Sequence, residues 1–190
     1  YENQPGDFWG LKNRIEHMDV QQNSRASAPV SGKHSIMQLP FVTGLIALAN
    51  ILVYIILSFG GATEDAFYMA SRGAMYPEFL TINHQWWRLL TAIFLHFGVA
   101  HLMNNMVIFC CVGSRLEKYI GHWKMAVVYF AAGIGGGLLS YIMMLLSGNY
   151  AVSGGASGAV FGVIGGLLGV IIAMAIVIII YLTNDTIKVE

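Results

Sequence analysis

The chain has 190 residues, 56% of them hydrophobic and 11% charged, with a mean hydropathy of +0.64. That length suits one ordinary domain, and that balance excludes a soluble globular protein and points to a polytopic membrane one. Lys plus Arg equals Asp plus Glu at ten each, so no bulk field draws nucleic acid, and no basic patch offers an interface for it. Cys110 and Cys111 are adjacent within an apolar run. They make neither a disulfide framework nor a set of spaced metal ligands, and they read as packing residues.

Residues 1–39 are polar, carry Lys12, Arg14, Arg25 and Lys33, and include a small-residue stretch over 24–32. They read as a cytoplasmic tail or the remnant of a larger soluble region. No apolar core lies near Tyr1, so this stretch is not expected to be a secretory signal peptide. The start at Tyr1 instead of an initiator methionine suggests that residues upstream were removed.

The membrane domain is expected over 40–182. Span one, 40–61, is broken only by Thr43, Asn50 and Ser58 and has the roughly 20 residues a helix needs to cross a bilayer. A mixed loop with Glu64, Asp65, Arg72, Glu78, Trp86, Trp87 and Arg88 follows, and its tryptophans place it at headgroup depth. Span two, 92–112, carries His96, His101, Asn104 and Asn105, an unusual polar load. A turn with Arg115, Glu117, Lys118 and Lys124 leads to span three, 125–146, which holds Gly133, Gly135, Gly136 and Gly137.

Span four, 158–182, has no charged, histidine or amide side chain. Glycines crowd its first half and isoleucines its second. At about 37 Å it exceeds the hydrocarbon thickness of about 30 Å, so it tilts or consists of two joined segments. Residues 183–190 read as a cytoplasmic tail. Four spans put eight Lys and Arg on the side of both termini and two, Arg72 and Arg88, on the other. The N-terminus is therefore expected in the cytosol and the Trp86–Trp87 loop outside.

Polar groups within a bilayer are costly unless they pair or line a wet cavity, so His101, Asn105 and Ser157 are the first candidates for function. The i, i+4 spacing of His101 and Asn105 puts both on one helix face, able to converge on one oxygen atom. It suits polar contacts between helices equally well. His96 precedes Gly98 and need not share that face. Ser157 stands in Gly155-Ala156-Ser157-Gly158 at the start of a helix, where small neighbours admit a carbonyl and free N–H groups await an oxyanion. It also fits a small-residue stripe of Gly154, Gly158, Gly162 and Gly166. No expected span carries Asp, Glu, Lys or Arg in its interior, which disfavours a channel or transporter. A dinucleotide site is excluded because no strand precedes either glycine cluster.

Taken together, Trp87-Arg88, the segment from His96 to Asn105, Gly113-Ser114-Arg115-Leu116-Glu117 and Gly155-Ala156-Ser157-Gly158 closely resemble the rhomboid family of intramembrane serine proteases, over about residues 40–174. The resemblance implies an all-α polytopic bundle with about four of the family's six spans. It implies an endopeptidase acting on transmembrane segments of protein substrates in the bilayer, without metal or organic cofactor, in a multi-pass protein of the cell membrane. Ser157 matches the nucleophile, and His101 and Asn105 match the oxyanion-stabilising side chains, with the Ser157 N–H. Trp87 and Arg88 match the motif of the first external loop. Glu117 matches an acidic residue holding the turn after span two, and Gly155 belongs to the nucleophile's motif. Phe161 stands where the family often has a tyrosine stacking on the catalytic histidine.

The family's general base is a histidine on its sixth span, whereas all six histidines here precede Ser157. An unassisted serine hydroxyl stays protonated at neutral pH. Three expectations follow: a piece of a longer protease, a rhomboid-like protein that binds transmembrane helices without cutting them, or His101 or His96 serving as base. A unit short of two spans is also expected to leave the glycine stripe of span four without the helices it is shaped to contact.

Overall fold

The computed structural model describes residues 39–187, with side chains through 181. The expected tail over 1–39, apart from Leu39, and residues 188–190 lie outside the described residues. In chain order the helices are α1 (Phe41–Gly60), α2 (Ala66–Ser71), α3 (Pro77–Thr81), α4 (Arg88–Thr91), α5 (Val99–Ile120), α6 (His122–Ser147) and α7 (Ser157–Ile187), with a 3-10 turn at Ala92–Phe94. The described residues contain no strand, only an isolated antiparallel bridge between Met75 and Ser153. Helices α1, α5, α6 and the Ser157–Tyr181 part of α7 are each long and apolar enough to cross a membrane. The bundle is all-α, as its composition requires.

Span two begins at Val99 instead of Ala92. Leu95 is extended and Gly98 sits at φ +83°, a backbone state that L side chains avoid, so the helical turns before it cannot run on into α5. At its other end α5 continues through Arg115, Glu117 and Lys118, placed in a turn by the sequence reading, and stops at Gly121, φ +85°. Charged residues therefore do occur within a spanning helix. Glu117 is buried there and accepts hydrogen bonds from the Val42 N–H (2.8 Å), the Thr43 N–H (2.8 Å) and the Thr43 hydroxyl (2.5 Å). The ring of His122 pairs with it too. Pro40 gives α1 no side-chain cap, and Glu117 supplies one across the bundle, placing a carboxylate at the positive end of the helix.

Helix α7 is continuous, so span four is a single helix and not two segments. It also runs past the expected start of a tail at 183. Its first half packs closely against α6 and α5. A Cβ on Gly136 would lie 3.2 Å from the Cα of Gly158, one on Gly162 would lie 2.1 Å from the Cβ of Ala132, and one on Gly166 would lie 3.0 Å from Leu116. The stripe thus has its partners among the described helices, which corrects the expectation that they would be missing. Ile46, Phe109, Leu116, Met125, Tyr129, Ala159 and Val163 form the core between α1, α5, α6 and α7. Inside it the Asn50 amide donates to the Tyr129 hydroxyl at 3.1 Å and to the Ile46 carbonyl at 2.8 Å. A second cluster of Met75, Leu80, Leu89, Ala92 and Tyr141 holds the 62–91 loop against α6.

Candidate active site

The break at Gly98 decides where the first turn of α5 lies and hence where its polar side chains emerge. His101 is half-buried and Asn105 buried, one turn apart on one face as their spacing requires. One N–H of the Asn105 amide donates to the His101 carbonyl at 2.9 Å. An amide nitrogen carries two hydrogens, so a second remains for a ligand.

The segment leading to Ser157 is strapped from three directions. Met75 and Ser153 exchange both main-chain hydrogen bonds at 2.8 Å, the Gly155 N–H donates to the Ala92 carbonyl at 2.8 Å, and the Ala156 N–H donates to Nε2 of His96 at 3.3 Å. Ala156 then caps α7, its carbonyl accepting the Val160 N–H at 2.8 Å. Gly155 adopts φ +131°, and a Cβ there would meet His101 Cε1 at 2.7 Å. A side chain at 155 is therefore excluded both by the backbone and by the imidazole. Ser157 opens the first turn of α7 with its side chain exposed and its hydroxyl in no hydrogen bond among the described residues. The N–H groups of that first turn have no acceptor within the helix.

Two cavities meet at Ser157. One, about 210 Å³, lies between α5 and α7 and is lined by His101, Asn104, Asn105, Ile108, Ser157 and Phe161 among others. The other, about 220 Å³, lies toward α6 and is lined by Ser140, Ser153, Gly154, Gly155, Ser157 and Phe161 among others. Phe161 borders both, with its ring 72% exposed. The fold thus brings together Ser157, His101, Asn105, Gly155 and Phe161. The cavity at Ser157 is thus walled by an imidazole and an amide side chain.

Trp87 and Arg88 are not brought to either cavity. Arg88 is buried under the loop, donating to the Ala70 carbonyl (2.7 Å), the Ala74 carbonyl (2.8 Å) and the Gln85 side chain (2.6 Å). Its guanidinium lies 4.1 Å from the Phe79 ring centre and 4.9 Å from that of Trp87. Burial pulls its pKa below the ordinary arginine value. Trp87 is half-exposed, its ring edge near Gly73. These two residues shape the loop, and through Met75 the loop fixes Ser153. Among the described residues no three His, Cys, Asp or Glu side chains are placed to hold a metal ion.

Sequence reasoning named His96 as one alternative for the base but did not foresee its contacts. It is fully buried, its ring meets His101 edge-to-face at 5.3 Å, and its Nδ1 faces the Phe94 carbonyl at 3.3 Å. Burial, with His101 alongside, pushes its pKa down to about 4. A spacing of five residues from His101 placed His96 on no shared helix face. The available signal was Gly98, which folds the preceding segment back over α5.

A family model described as "Rhomboid domain" matches residues 83–184. Rhomboid protease GluP of Bacillus subtilis (strain 168) is 33% identical over 141 residues, 74% of this chain and 25% of that protein. Rhomboid-like protease 3 of Toxoplasma gondii is 39% identical over 117 residues, 60% of this chain and 42% of that protein. Inactive RHOMBOID-like protein 8 of Arabidopsis thaliana is 38% identical over 72 residues, 38% of this chain and 20% of that protein. The chain spans about a quarter of the length of the first relatives it matches.

Proposed function

The chain belongs to the rhomboid family, and from that premise we propose that its site hydrolyses a peptide bond in or beside a transmembrane helix of a protein substrate. The observation that carries this reading is the cavity shared by Ser157, His101 and Asn105 at the first turn of α7. The Ser157 Oγ attacks the scissile carbonyl carbon and passes its proton to a general base, the role that a sixth-span histidine fills in the family. The carbonyl oxygen takes the negative charge and is held by His101, the free amide hydrogen of Asn105 and the Ser157 N–H. Collapse breaks the C–N bond, and the protonated base returns its proton to the departing amine. Water then repeats the attack on the acyl-serine and releases the acid.

The substrate backbone must come within reach of Ser157, beside the cavity that Gly154, Gly155 and Gly158 help to line. Gly155 serves the site by leaving room for the His101 ring, and Phe161 by walling the two cavities apart. Trp87 and Arg88 act at a distance, holding the loop that fixes Ser153. The excess of Lys and Arg toward the termini supports a cytosolic N-terminus and a site opening to the exterior of the cell membrane.

A second reading is favoured by a specific observation. The Ser157 hydroxyl touches no base among the described residues, and one similar protein is named inactive. On that reading the same groove holds transmembrane helices without cutting them. Labelling of the chain in lipid with a fluorophosphonate probe separates the two. Covalent labelling that vanishes in Ser157→Ala supports the protease, whereas a folded sample that never labels leaves the binding function.

A further inference from the structure

Helix α7 begins with four N–H groups that the helix itself cannot satisfy, those of Ala156, Ser157, Gly158 and Ala159. One of them is claimed: the Ala156 N–H donates to Nε2 of His96 at 3.3 Å. A main-chain N–H can only donate, so Nε2 must be the unprotonated nitrogen. A carbonyl can only accept, so Nδ1, 3.3 Å from the Phe94 oxygen, must carry the hydrogen. Both neighbours therefore select one neutral tautomer. The ring is fully buried and bridges the turn before α5 to the turn before α7. Its contact with the His101 ring at 5.3 Å ties the same imidazole to a group facing the cavity.

We propose that His96 is a positioning residue that aims the nucleophile's peptide: by taking the Ala156 N–H it turns that donor away from the cavity, leaves the Ser157 N–H to face the substrate oxygen, and holds the His101 ring in place. This rests on the reading of Ser157 as the acyl acceptor for its catalytic consequence, but not for its geometry. A proton on Nε2 would turn the acceptor into a donor pointed at another donor, so the arrangement exists only with a neutral ring. Burial, which disfavours the charged form, keeps it so.

The test compares wild type with His96→Gln, whose side-chain oxygen can take the Ala156 N–H, and His96→Phe, which keeps the ring but has no acceptor. Hydrogen exchange at the Ala156 amide, in the full chain in lipid bicelles, should accelerate by about tenfold or more in His96→Phe and return to within about threefold of wild type in His96→Gln. Amides in the middle of α6 should not change. The 15N signals of the His96 ring in wild type should report Nδ1 protonated and Nε2 bare. Unchanged Ala156 exchange in His96→Phe, or a His96 ring protonated at Nε2, overturns the proposal, and the ring measurement decides even if a variant fails to fold. Fluorophosphonate labelling of Ser157 should follow the same order, slowing in His96→Phe and recovering in His96→Gln. A wild-type chain that does not label defeats the proteolytic reading while the exchange arm still decides the positioning.

Discussion

Asn105 gives one amide hydrogen to its own helix and lines the cavity at Ser157, so replacing it removes a polar group from that wall. On the proposed reading, Asn105→Ala slows phosphonylation of Ser157 by a fluorophosphonate by roughly a hundredfold, the cost of losing one preorganised oxyanion donor. A fluorophosphonate labelling time course measures it, and a rate within a factor of two or so of wild type would remove Asn105 from the oxyanion role. His96 carries the pH dependence at this scale. Its pKa lies near 4 in the fold against about 6.5 in an unfolded chain. Between those values the unfolded state binds the proton and the folded state does not, so stability falls as pH drops from about 6.5 toward about 4 and is fully present above that window. The loss is on the order of 3 kcal/mol at most. Melting curves across this range should show a shallower acid loss in His96→Gln than in wild type, and identical slopes would refute the assignment.

The contact between α6 and α7 is made by backbone meeting backbone. It turns on single glycines, and neighbouring glycines differ sharply in what they meet. Gly162→Ala would put a methyl group 2.1 Å from the Cβ of Ala132, forcing the helices apart at a cost of about 1–3 kcal/mol. Gly165 has nothing within 4 Å of a Cβ, and Gly165→Ala should leave stability within about 0.5 kcal/mol of wild type. Unfolding in mixed micelles titrated with dodecyl sulfate distinguishes them, and equal midpoints for the two variants would contradict the packing described here. Element existence was legible because long apolar runs have no other stable form in a bilayer. The i, i+4 pair at His101 and Asn105 was legible because helix periodicity alone puts two such residues on one face. The start of α5 was not, since hydropathy continues smoothly through 92–98 while one positive-φ glycine breaks the helix. His96 was hidden for the same reason, its partner lying sixty residues away at Ala156.

For the molecule as a whole, the two ends of the bundle are secured by different chemistry. At the end bearing Ser157, main-chain bonds from Met75, Ala92 and the His96 ring strap the loop before α7. At the other end one carboxylate ties three helices: Glu117 of α5 accepts two main-chain N–H groups and a hydroxyl from the start of α1, and pairs with His122 at the start of α6. Hydropathy could not announce this junction, because an acidic residue beside Arg115 and Lys118 reads as a solvated turn. Only the folded chain shows that α1 lacks a cap of its own and borrows one. Glu117→Ala would leave the half-buried Val42 N–H and the buried Thr43 N–H and hydroxyl without an acceptor, each buried orphan costing about 1–3 kcal/mol. Helix α1 should then detach at its first turn before the remaining bundle opens. Limited proteolysis near residue 40, together with the melting temperature in lipid, reads this directly. Early cleavage there with a lowered melting point is the expected result, whereas wild-type resistance in Glu117→Ala would show that α1 is held by its apolar contacts with α5 and α6 alone.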